Sequence, residues 1–491
     1  MGGVIAELDE EPAAPEKHFE HPVVLADFGS TFTKLTIVDA ATGTLIARAS
    51  HPTSVQTDVL DGFDAALGRV AVEFPRLVLD DVKACSSAGG GLRLGVVGLE
   101  KDLTAEAGRR AALSAGARVV TVMDGGLADG GIERLLAEKP DILLLTGGTD
   151  GGNRACLIES ASRIASSGLS IPVVVAGNID AQDEAGRILQ AGGRRHVVLV
   201  PNVMPEIGRI CEEPVREVIR ELFIRHVIGG KHLSARSAFT SMVSMPTPEA
   251  VLLATQLLAD PQHHPGFGDV AVIDIGGATT DIHSAVRDRP GDEVGYTRQI
   301  LPSSELSRTV EGDLGLRWNA PGVVEAAVAE SGTDFTPTEG LSATAERLRN
   351  EPGFLPSDDD GADDDAELAS LATGIALQRH AGELKVTLSP DGASLRRTGK
   401  DLRSVQTMIG TGGIFAHATP ARLARILSAA RSVEGGSKRL LPRHPNLVVD
   451  RSYVMGAAGL LSVDHPHAAA RLLHEQLAEI GSVREGTSDG H

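Results

Sequence analysis

Two short stretches of the sequence place a carboxylate, glycines and hydroxyls in the same order. Asp27 stands in "ADFGSTFTK" (26–34), directly after an apolar run, and Asp274 has the same place in "IDIGGATTD" (273–281). A buried carboxylate is costly unless a cation meets it. Mg²⁺ takes one or two carboxylates together with phosphate oxygens and keeps most of its waters. The two stretches therefore predict a Mg²⁺ site in which Asp27 and Asp274 are the catalytic residues and hold the metal through water.

Each carboxylate is followed two residues later by a glycine turn. Such turns expose consecutive backbone N–H groups that can surround phosphate oxygens, and neighbouring hydroxyls add further donors. The expected phosphate-binding residues are Gly29, Ser30, Thr31 and Lys34 in the first stretch and Gly276, Gly277, Thr279 and Thr280 in the second. For Lys34, a position facing solvent is an equal alternative. The sequence has no GxxxxGK[ST] pattern, which excludes a P-loop protein.

A third glycine turn lies in "IGTGGIFAH" (409–417) and contains Gly410, Gly412 and Gly413. Because glycine has no Cβ, the backbone can approach a flat ring closely, as an adenosine site requires. Any one of the three turns alone would be explained as well by an ordinary tight β-turn. The three together, two of them near-copies, favour the binding of a nucleotide together with Mg²⁺.

The elements that must position these turns follow from the hydrophobic pattern. Around the first turn it predicts a β-hairpin with a third strand, and residues 269–287 repeat the hairpin. Residues 118–203 contain four short apolar strands with helical stretches between them, which is typical of a parallel sheet. One helix is predicted to begin at Thr247, with Thr as N-cap and Pro in the first turn. Another, with an unusually small face, is predicted at "VMGAAGLL" (454–461).

Composition and charge exclude several classes of partner. The chain has 491 residues and a formal net charge of −20, which argues against binding to a nucleic-acid backbone. No apolar run reaches the length of a membrane span, so no membrane partner is expected. The acidic, Pro-rich start lacks the pattern of a signal peptide, and three widely spaced cysteines fit neither a disulfide framework nor a CxxC metal site. A cytoplasmic protein is therefore expected.

The three turns can be compared with a known superfamily. "DFGSTFTK", "DIGGATTD" and "IGTGGIFAH" resemble the phosphate-1, phosphate-2 and adenosine motifs of the actin-like ATPases, which close two α/β lobes over Mg-ATP. The resemblance implies that Gly412 and Gly413 lie against the adenosine. It also implies that the helix after Thr247 and the helix at 454–461 connect the lobes, with Gly456 and Ala457 permitting a close helix contact at a hinge.

More narrowly, residues 22–480 resemble the MutL (GlmL) family, the accessory proteins of adenosylcobalamin-dependent glutamate (methylaspartate) mutase. The phrases that carry this resemblance are "ADFGSTFTKLT", "CSSAGGGLR", "TGGTDGGN", "AGN", "RTVEGDLG" and "GTGGIFAH". The resemblance implies an ATP-using reactivase that releases damaged cobalamin from the mutase, so that the subunits of the mutase are its partners. Which mutase is served, and the oligomeric state, do not follow from the chain.

The expected fold class is α/β: an actin-like ATPase fold with two ribonuclease-H-like lobes and a large parallel α/β insertion in the first lobe. The expected boundaries are a disordered acidic tail at 1–21, the first lobe at 22–84, the insertion at 85–246, the second lobe at 247–483 and a disordered tail at 484–491.

Several weaker signals in the sequence have structural explanations as well as functional ones. Glu311 and Asp313, in "RTVEGDLG", could touch the metal through water. The acidic stretch 357–367 has the wrong spacing for a calcium loop and is expected to be a solvated loop before a helix. Asp281 and His283 begin like a cobalamin-ligating D-x-H-x-x-G motif, but Val286 replaces its glycine and the site would lie in a strand. The glycine-rich loops at 124–126 and 147–153 fit a ligand site and ordinary turns equally well.

Two other functions remain open on the same fold. A small-molecule kinase would need a general base at the acceptor hydroxyl, and the sequence offers no aspartate placed as in sugar kinases. A nucleotide-binding scaffold would bind ATP without hydrolysing it.

Overall fold

The computed structural model describes residues 19–127, 130–193, 196–228, 233–263, 267–287, 296–297, 304–330, 335–389, 392–429 and 439–479. The predicted tails at 1–21 and 484–491 lie outside these ranges, except for residues 19–21. Whether the tails are disordered stays a prediction.

The chain begins with a three-stranded antiparallel meander. Its strands and the elements that follow are β1 (Pro22–Phe28), β2 (Phe32–Asp39), β3 (Thr44–Pro52), α1 (Val59–Glu73) and β4 (Asp81–Ser86). The β1 strand is the apolar run before the first glycine turn. Helix α1 begins after Asp58, whose side chain accepts a hydrogen bond from the N–H of Leu60, as an N-cap residue does. Sequence pattern and local structure agree in this part of the chain.

A parallel α/β unit then interrupts the first lobe. Its elements are β5 (Arg93–Val97), α2 (Thr104–Ser114), β6 (Arg118–Met123), α3 (Gly131–Glu138), β7 (Ile142–Leu145), α4 (Ala155–Ser166), β8 (Val173–Val175), α5 (Ile179–Ala191) and β9 (Val197–Leu199). The strand order is β6-β5-β7-β8-β9, and all neighbours are parallel. The sequence pattern predicted four strands here and missed β5, the second strand of the sheet, which lies at the topological switch point.

The chain then returns to the first lobe. It does so through α6 (Glu213–Leu222), a π-helical segment (Phe223–Ile228), α7 (Ser237–Met242) and β10 (Val243–Pro246). Strand β10 pairs in parallel with β4, so the first sheet has the order β10-β4-β1-β2-β3. The predicted insertion 85–246 therefore included β10 and the end of β4, both of which belong to the first sheet. The interruption lies between residues 86 and 243.

The second lobe repeats this arrangement. Its elements are α8 (Thr247–Ala259), β11 (Val270–Ile275), β12 (Thr280–Ala285), β13 (Tyr296–Thr297), β14 (Leu306–Glu311), α9 (Ala320–Glu330), α10 (Glu339–Asn350), α11 (Asp359–His380), β15 (Glu383–Ser389), β16 (Gly392–Thr398), β17 (Thr407–Thr411), α12 (Gly413–His417), α13 (Pro420–Ser428), β18 (Asn446–Asp450), α14 (Val454–Ser462), α15 (Pro466–Gln476) and β19 (Leu477–Glu479). The main sheet has the order β14-β12-β11-β17-β18-β19. As in the first sheet, an antiparallel hairpin at its centre joins parallel strands on one side. The predicted fold class, two ribonuclease-H-like lobes with a parallel insertion, is confirmed.

The acidic stretch 357–367 differs from its prediction. Residues from Asp359 onward are the first turns of α11 rather than a loop before it. The Asp358 side chain accepts from the N–H of Gly361 and caps the helix, and carboxylates in a first turn are favoured by the helix dipole.

Two helices lie between the main sheets. Helices α8 and α14 pack on each other, and one buried apolar cluster joins them to Leu25 of the first sheet and Val272 of the second. The close contact is made by Gly459, where an added Cβ would overlap the carbonyl oxygen of Ala250. The sequence predicted Gly456 and Ala457 for this contact, and Ala457 is buried in the shared cluster. Gly456 instead faces the Cys85 Sγ, 4.0 Å from where its Cβ would lie.

Among the residues that the structure describes, no helix is long and apolar enough to cross a membrane.

Candidate functional site

The first glycine turn is held by its own hairpin. Asp27 is the penultimate residue of β1 and lies directly opposite Lys34 of β2 in the antiparallel register. At the turn, the Gly29 N–H donates to the Phe32 carbonyl at 3.1 Å, and a Cβ on Gly29 would lie 2.7 Å from that oxygen. The hairpin therefore requires glycine at this position and presents Asp27 and Lys34 side by side.

Asp27 has three neighbours from different parts of the chain. Lys34 Nζ forms an ion pair with one carboxylate oxygen at 3.5 Å, and the hydroxyl of Thr247 donates to the other at 2.6 Å. The Cys85 thiol lies 3.7 Å from the same oxygen as Thr247. Neither Thr247 nor Cys85 was predicted at the site, because β4 and the start of α8 reach Asp27 only through the tertiary fold.

Some hydrogen-bond donors of the second glycine turn are already paired with acceptors of the protein itself. The Gly276 N–H donates to the Thr279 carbonyl at 2.9 Å, and the Thr280 hydroxyl donates to the Leu314 carbonyl at 2.6 Å. The Thr279 hydroxyl donates to Asp281 at 3.0 Å. Thr280 thus stabilises the turn, whereas the sequence predicted that its hydroxyl would bind nucleotide. Because the Thr280 hydroxyl already donates its proton to Leu314, this geometry does not support its predicted donation to a nucleotide.

The fold brings the two turns face to face. A Cβ on Gly277 would lie 2.6 Å from the Thr31 hydroxyl oxygen. That oxygen is buried and has no hydrogen-bond partner among the described residues. The two stretches with the shared pattern therefore meet across the lobes, with an unused hydroxyl between them.

The two carboxylates differ in their charge environment. Opposite Asp274 the register places Asp281, where the first hairpin has Lys34 opposite Asp27. Burial and then the Asp281 charge raise the pKa of Asp274 to about 7, although Lys34 acts against them. Burial lowers the pKa of Lys34, but Asp27, Tyr453 and Asp274 outweigh it, so that the pKa stays above its usual value. Lys34 is therefore a partly exposed ammonium whose charge acts on the carboxylates of both hairpins.

The third glycine turn packs on the second hairpin. Gly412 has a φ of 107°, and its Cβ would overlap the Ile275 carbonyl oxygen, while the Phe415 ring fills the space beside Gly410. Both glycines are explained by contacts within the protein, which the sequence had assigned to an adenosine ring. Gly413 is the exposed member, and its Cβ would lie 3.7 Å from the Tyr453 hydroxyl. Of the three, Gly413 is the one whose surface is open to a ligand.

Tyr453 and Asp450 connect this turn to α14. Lys34 Nζ lies 4.7 Å from the centre of the Tyr453 ring, and Tyr453 has a left-handed φ of 54°. Asp450 is fully buried and accepts from the Thr411 hydroxyl at 2.9 Å and from the N–H groups of Val454 and Met455. Burial raises the pKa of Asp450, and these hydrogen bonds partly offset the effect. An Asp four residues before a helix start is the signal that could have identified this capping role.

The acidic loop has a different partner from the predicted one. Glu311 and Asp313 both accept from the Arg379 guanidinium, at 2.8 and 2.9 Å. Burial raises the pKa of Glu311 against the effect of Arg379, whereas for Asp313 the hydrogen bonds from Arg379 outweigh burial and lower the pKa. The contact to a metal stays a prediction without support from this geometry, because both carboxylates already accept hydrogen bonds from Arg379.

Other residues singled out in the sequence lie away from the turns. His283 is fully buried in β12, which agrees with its exclusion as a cobalt ligand. Within the described ranges, no group of three or more His, Cys, Asp or Glu side chains could hold a metal. A metal at Asp27 and Asp274 would therefore take its other ligands from water and phosphate, as Mg²⁺ does in nucleotide sites.

Comparisons with known proteins agree on one family. The family model described as MutL protein matches residues 23–477. Protein MutL of Clostridium tetanomorphum is 37% identical over 462 residues, which cover 93% of this chain and 99% of that protein.

Solved structures give weaker similarities. The nucleotide-free structure of acetone carboxylase is 11% identical, with a TM-score of 0.37, over 90% of this chain and 70% of that chain. Component A of the (R)-2-hydroxyglutaryl-CoA dehydratase of Acidaminococcus fermentans is 11% identical, with a TM-score of 0.29, over 92% of this chain and 99% of that chain. With TM-scores below 0.5, neither structure carries an argument about this chain.

Proposed function

The chain belongs to the MutL protein family, and we propose that it is the ATP-dependent accessory protein of an adenosylcobalamin-dependent mutase of the glutamate mutase type. In this proposal it acts as a reactivating chaperone: it binds and hydrolyses Mg-ATP between its lobes and couples that cycle to the release of inactive cobalamin. The mutase subunits are its partners, and it works in the cytoplasm.

The observation that supports nucleotide binding is the meeting of the two hairpin turns. Thr31 and Gly277 come from different lobes, and the buried Thr31 hydroxyl has no protein partner among the described residues. Buried polar groups are normally hydrogen-bonded, so an unused hydroxyl in a glycine-lined contact suggests a place for a ligand oxygen. A polyphosphate supplies such oxygens, and both turns would contact it at once.

The residues present also fit a divalent metal. Asp27 and Asp274 would hold Mg²⁺ through water, and the metal when bound would supply positive charge against the phosphate oxygens. Lys34, whose ammonium pairs with Asp27, adds a second positive charge at the same place. Thr247 keeps the Asp27 carboxylate in one orientation, because its hydroxyl fixes one of the two oxygens.

Nucleotide binding can be tested with the protein's own fluorescence. Trp318 is the single tryptophan and is about half exposed, and its backbone N–H donates to the Gly277 carbonyl at 2.8 Å. We expect Mg-ATP and Mg-ADP to change its emission with saturable titrations. Asp27→Asn should weaken binding in the presence of Mg²⁺ at least tenfold, whereas Asp102→Asn, at an exposed position of the insertion, should not.

The activity is tested by measuring ADP release with and without purified glutamate mutase loaded with inactive cobalamin. We expect the mutase to stimulate turnover and cobalamin to appear in the filtrate. Stimulation by sugars or small acids instead would favour a kinase. Binding without turnover under any of these conditions would favour a nucleotide-binding scaffold.

A further inference from the structure

Helix α2 of the inserted unit ends at the junction of the two lobes. It begins at Thr104, beside the carboxyl end of strand β5, where the Thr104 hydroxyl accepts from the Leu99 N–H at 2.9 Å. Its last turn and the residues after it, Leu113 to Ala117, reach the second lobe and the start of α8. With 11 residues and a rise of 1.5 Å per residue, the helix is roughly 16 Å long. A displacement at its C-terminal end is therefore transmitted to its N-terminal end in the inserted sheet.

A chain of contacts connects this helix end to the second hairpin. The Thr279 hydroxyl of the turn donates to Asp281, and Asp281 pairs with Arg308 of β14, with Nε–Oδ1 at 2.9 Å. The same guanidinium donates to the Ala117 carbonyl at 2.8 Å and to the Leu113 carbonyl at 3.4 Å. Arg308 and Asp281 are almost completely buried, with 2% and 7% of their side chains exposed. A cation is also favoured at the negative end of the helix dipole.

A second chain of contacts connects the same helix end to the first hairpin. Thr247, which donates to Asp27, is the first residue of α8. Two residues later, Glu249 is buried and pairs with Arg220 of α6, with Nε–Oε1 at 3.0 Å. Gly116, directly after α2, packs on this turn, since its Cβ would lie 3.2 Å from the Glu249 N–H nitrogen. Glycine is required there because the φ is 77° and the space is filled.

We propose that the inserted unit senses the nucleotide through α2, with Thr247 and Arg308 as the positioning residues. The proposal rests on the proposed function, because it assumes that phosphate and metal occupy the two turns. A phosphate that takes the Thr279 hydroxyl removes a donor from Asp281, and a metal at Asp27 competes with Thr247 for the carboxylate. Both changes arrive at the same helix end. A ligand shifts a conformational equilibrium only where its contacts differ between the states. In this proposal the hydrogen bonds Thr279–Asp281 and Thr247–Asp27 differ between the free and the nucleotide-bound protein.

The test is hydrogen exchange of the full-length protein at pH 8, with and without saturating Mg-ATP. The readout is the exchange rate of peptides that cover residues 104–117. Removing only one member of the Asp281–Arg308 pair would leave a buried charge, so the variant replaces both (Asp281→Asn with Arg308→Met). Thr247→Val removes the other connection, and Thr247→Ser restores the hydroxyl. Arg471→Met, which breaks an exposed ion pair in α15, is the control.

In the wild type and the control we expect Mg-ATP to change exchange in 104–117 at least fivefold. In the double variant and in Thr247→Val the change should fall below twofold, and Thr247→Ser should restore it. Because the metal competes with the Thr247 hydroxyl for the Asp27 carboxylate, Thr247→Val should also lower the Mg²⁺ concentration for half-saturation more than it lowers that for ATP, which a purely structural role would not do.

Nucleotide saturation is checked separately for each variant by Trp318 emission. Saturation of the wild type without a change of exchange in 104–117, or a full response in both variants, would overturn the inference alone. Absence of nucleotide binding by the wild type would overturn the proposed function and the inference with it.

Discussion

Single residues set the difference between the two halves of the site. The hairpins match in strand, carboxylate and glycine turn, but Lys34 stands opposite Asp27 where Asp281 stands opposite Asp274. The first carboxylate is therefore neutralised by its own hairpin. The second faces a like charge, which a partner from another strand, Arg308, must balance.

We predict that the affinity of the protein for Mg²⁺ in the presence of ADP rises with pH up to about 7 and then levels off. Burial, followed by the Asp281 charge, raises the pKa of Asp274 to about 7. Below this pH the carboxyl is protonated, so metal binding must release a proton and weakens by up to about tenfold per pH unit. Titrations of Trp318 emission between pH 5.5 and 8.5 would measure the effect.

Two variants sharpen this measurement. Asp274→Asn should bind the metal weakly and without the step, because no carboxyl titrates. Asp281→Asn together with Arg308→Met, which leaves no unpaired buried charge, should move the step to lower pH, because the like charge of Asp281 is gone. A wild-type affinity that stays constant over this pH range would contradict the assignment of Asp274 to the metal.

The residues predicted from sequence were those joined by local geometry. Asp27, Gly29 and Lys34 belong to one hairpin, so their spacing in the chain fixes their proximity, and the same holds for Asp274 and Gly276. Thr247, Tyr453 and Arg308 reach the site from distant segments. Thr247 was expected only as the start of a helix, and Arg308 only as the first residue of "RTVEGDLG", so the sequence connected neither of them with the two carboxylates. The place of Gly410 and Gly412 in a nucleotide site stays a prediction, because packing within the protein explains these two glycines equally well.

In the third glycine turn, Gly412 is buried against the protein backbone, whereas Gly413 is exposed and open to a ligand. Gly412→Ala should lower the free energy of unfolding by about 3 kcal/mol, because the φ of 107° is strained for alanine and the Cβ overlaps backbone. Gly413→Val should leave the fold intact, since its surroundings are open, and weaken ADP binding at least tenfold. Denaturant unfolding and Trp318 titrations measure the two effects. Wild-type ADP affinity in Gly413→Val would remove this turn from the site.

The contact between α8 and α14 gives a prediction with a control in the same helix. Gly459→Ala should destabilise the protein by about 1–3 kcal/mol, because the Ala250 backbone cannot move away as a side chain could. Gly456→Ala meets nothing closer than the Cys85 Sγ at 4.0 Å and should stabilise α14 by about 0.5–1 kcal/mol. The melting temperatures of the Gly459→Ala and Gly456→Ala variants, measured by thermal unfolding, test this difference. Equal melting temperatures would mean that the helices do not pack in this way.

At the scale of the whole molecule, both sheets close on one shared cluster around these helices. Ala457 is buried in that cluster, which also contains Leu25 and Val272 of the two sheets. Ala457→Leu adds three carbons and should overpack the interface by roughly 1–3 kcal/mol. We predict a folded variant that binds ADP but loses ATP-driven release of inactive cobalamin from its mutase, because lobe movement needs this contact to adjust.

Cobalamin in the filtrate measures this release. Val463→Leu, at an exposed position just after α14, is the matched control and should release cobalamin as the wild type does. Full release by Ala457→Leu would place the movement elsewhere in the molecule. Release by neither the variant nor the wild type would mean that the chosen mutase is not the partner.

Because the inserted unit lies between β4 and β10, the inserted sheet can be completed before the first sheet during synthesis. Strand β4 ends at residue 86, and its neighbour β10 begins only at residue 243, whereas all five strands of the inserted sheet fall between residues 93 and 199. During synthesis, the inserted sheet is complete while β4 still has an open edge. At roughly 5–20 residues per second, synthesis of the intervening residues takes about 8–30 seconds, and β4 keeps its open edge for this time before β10 can cover it. The nascent chain therefore needs protection from edge-to-edge pairing at this stage.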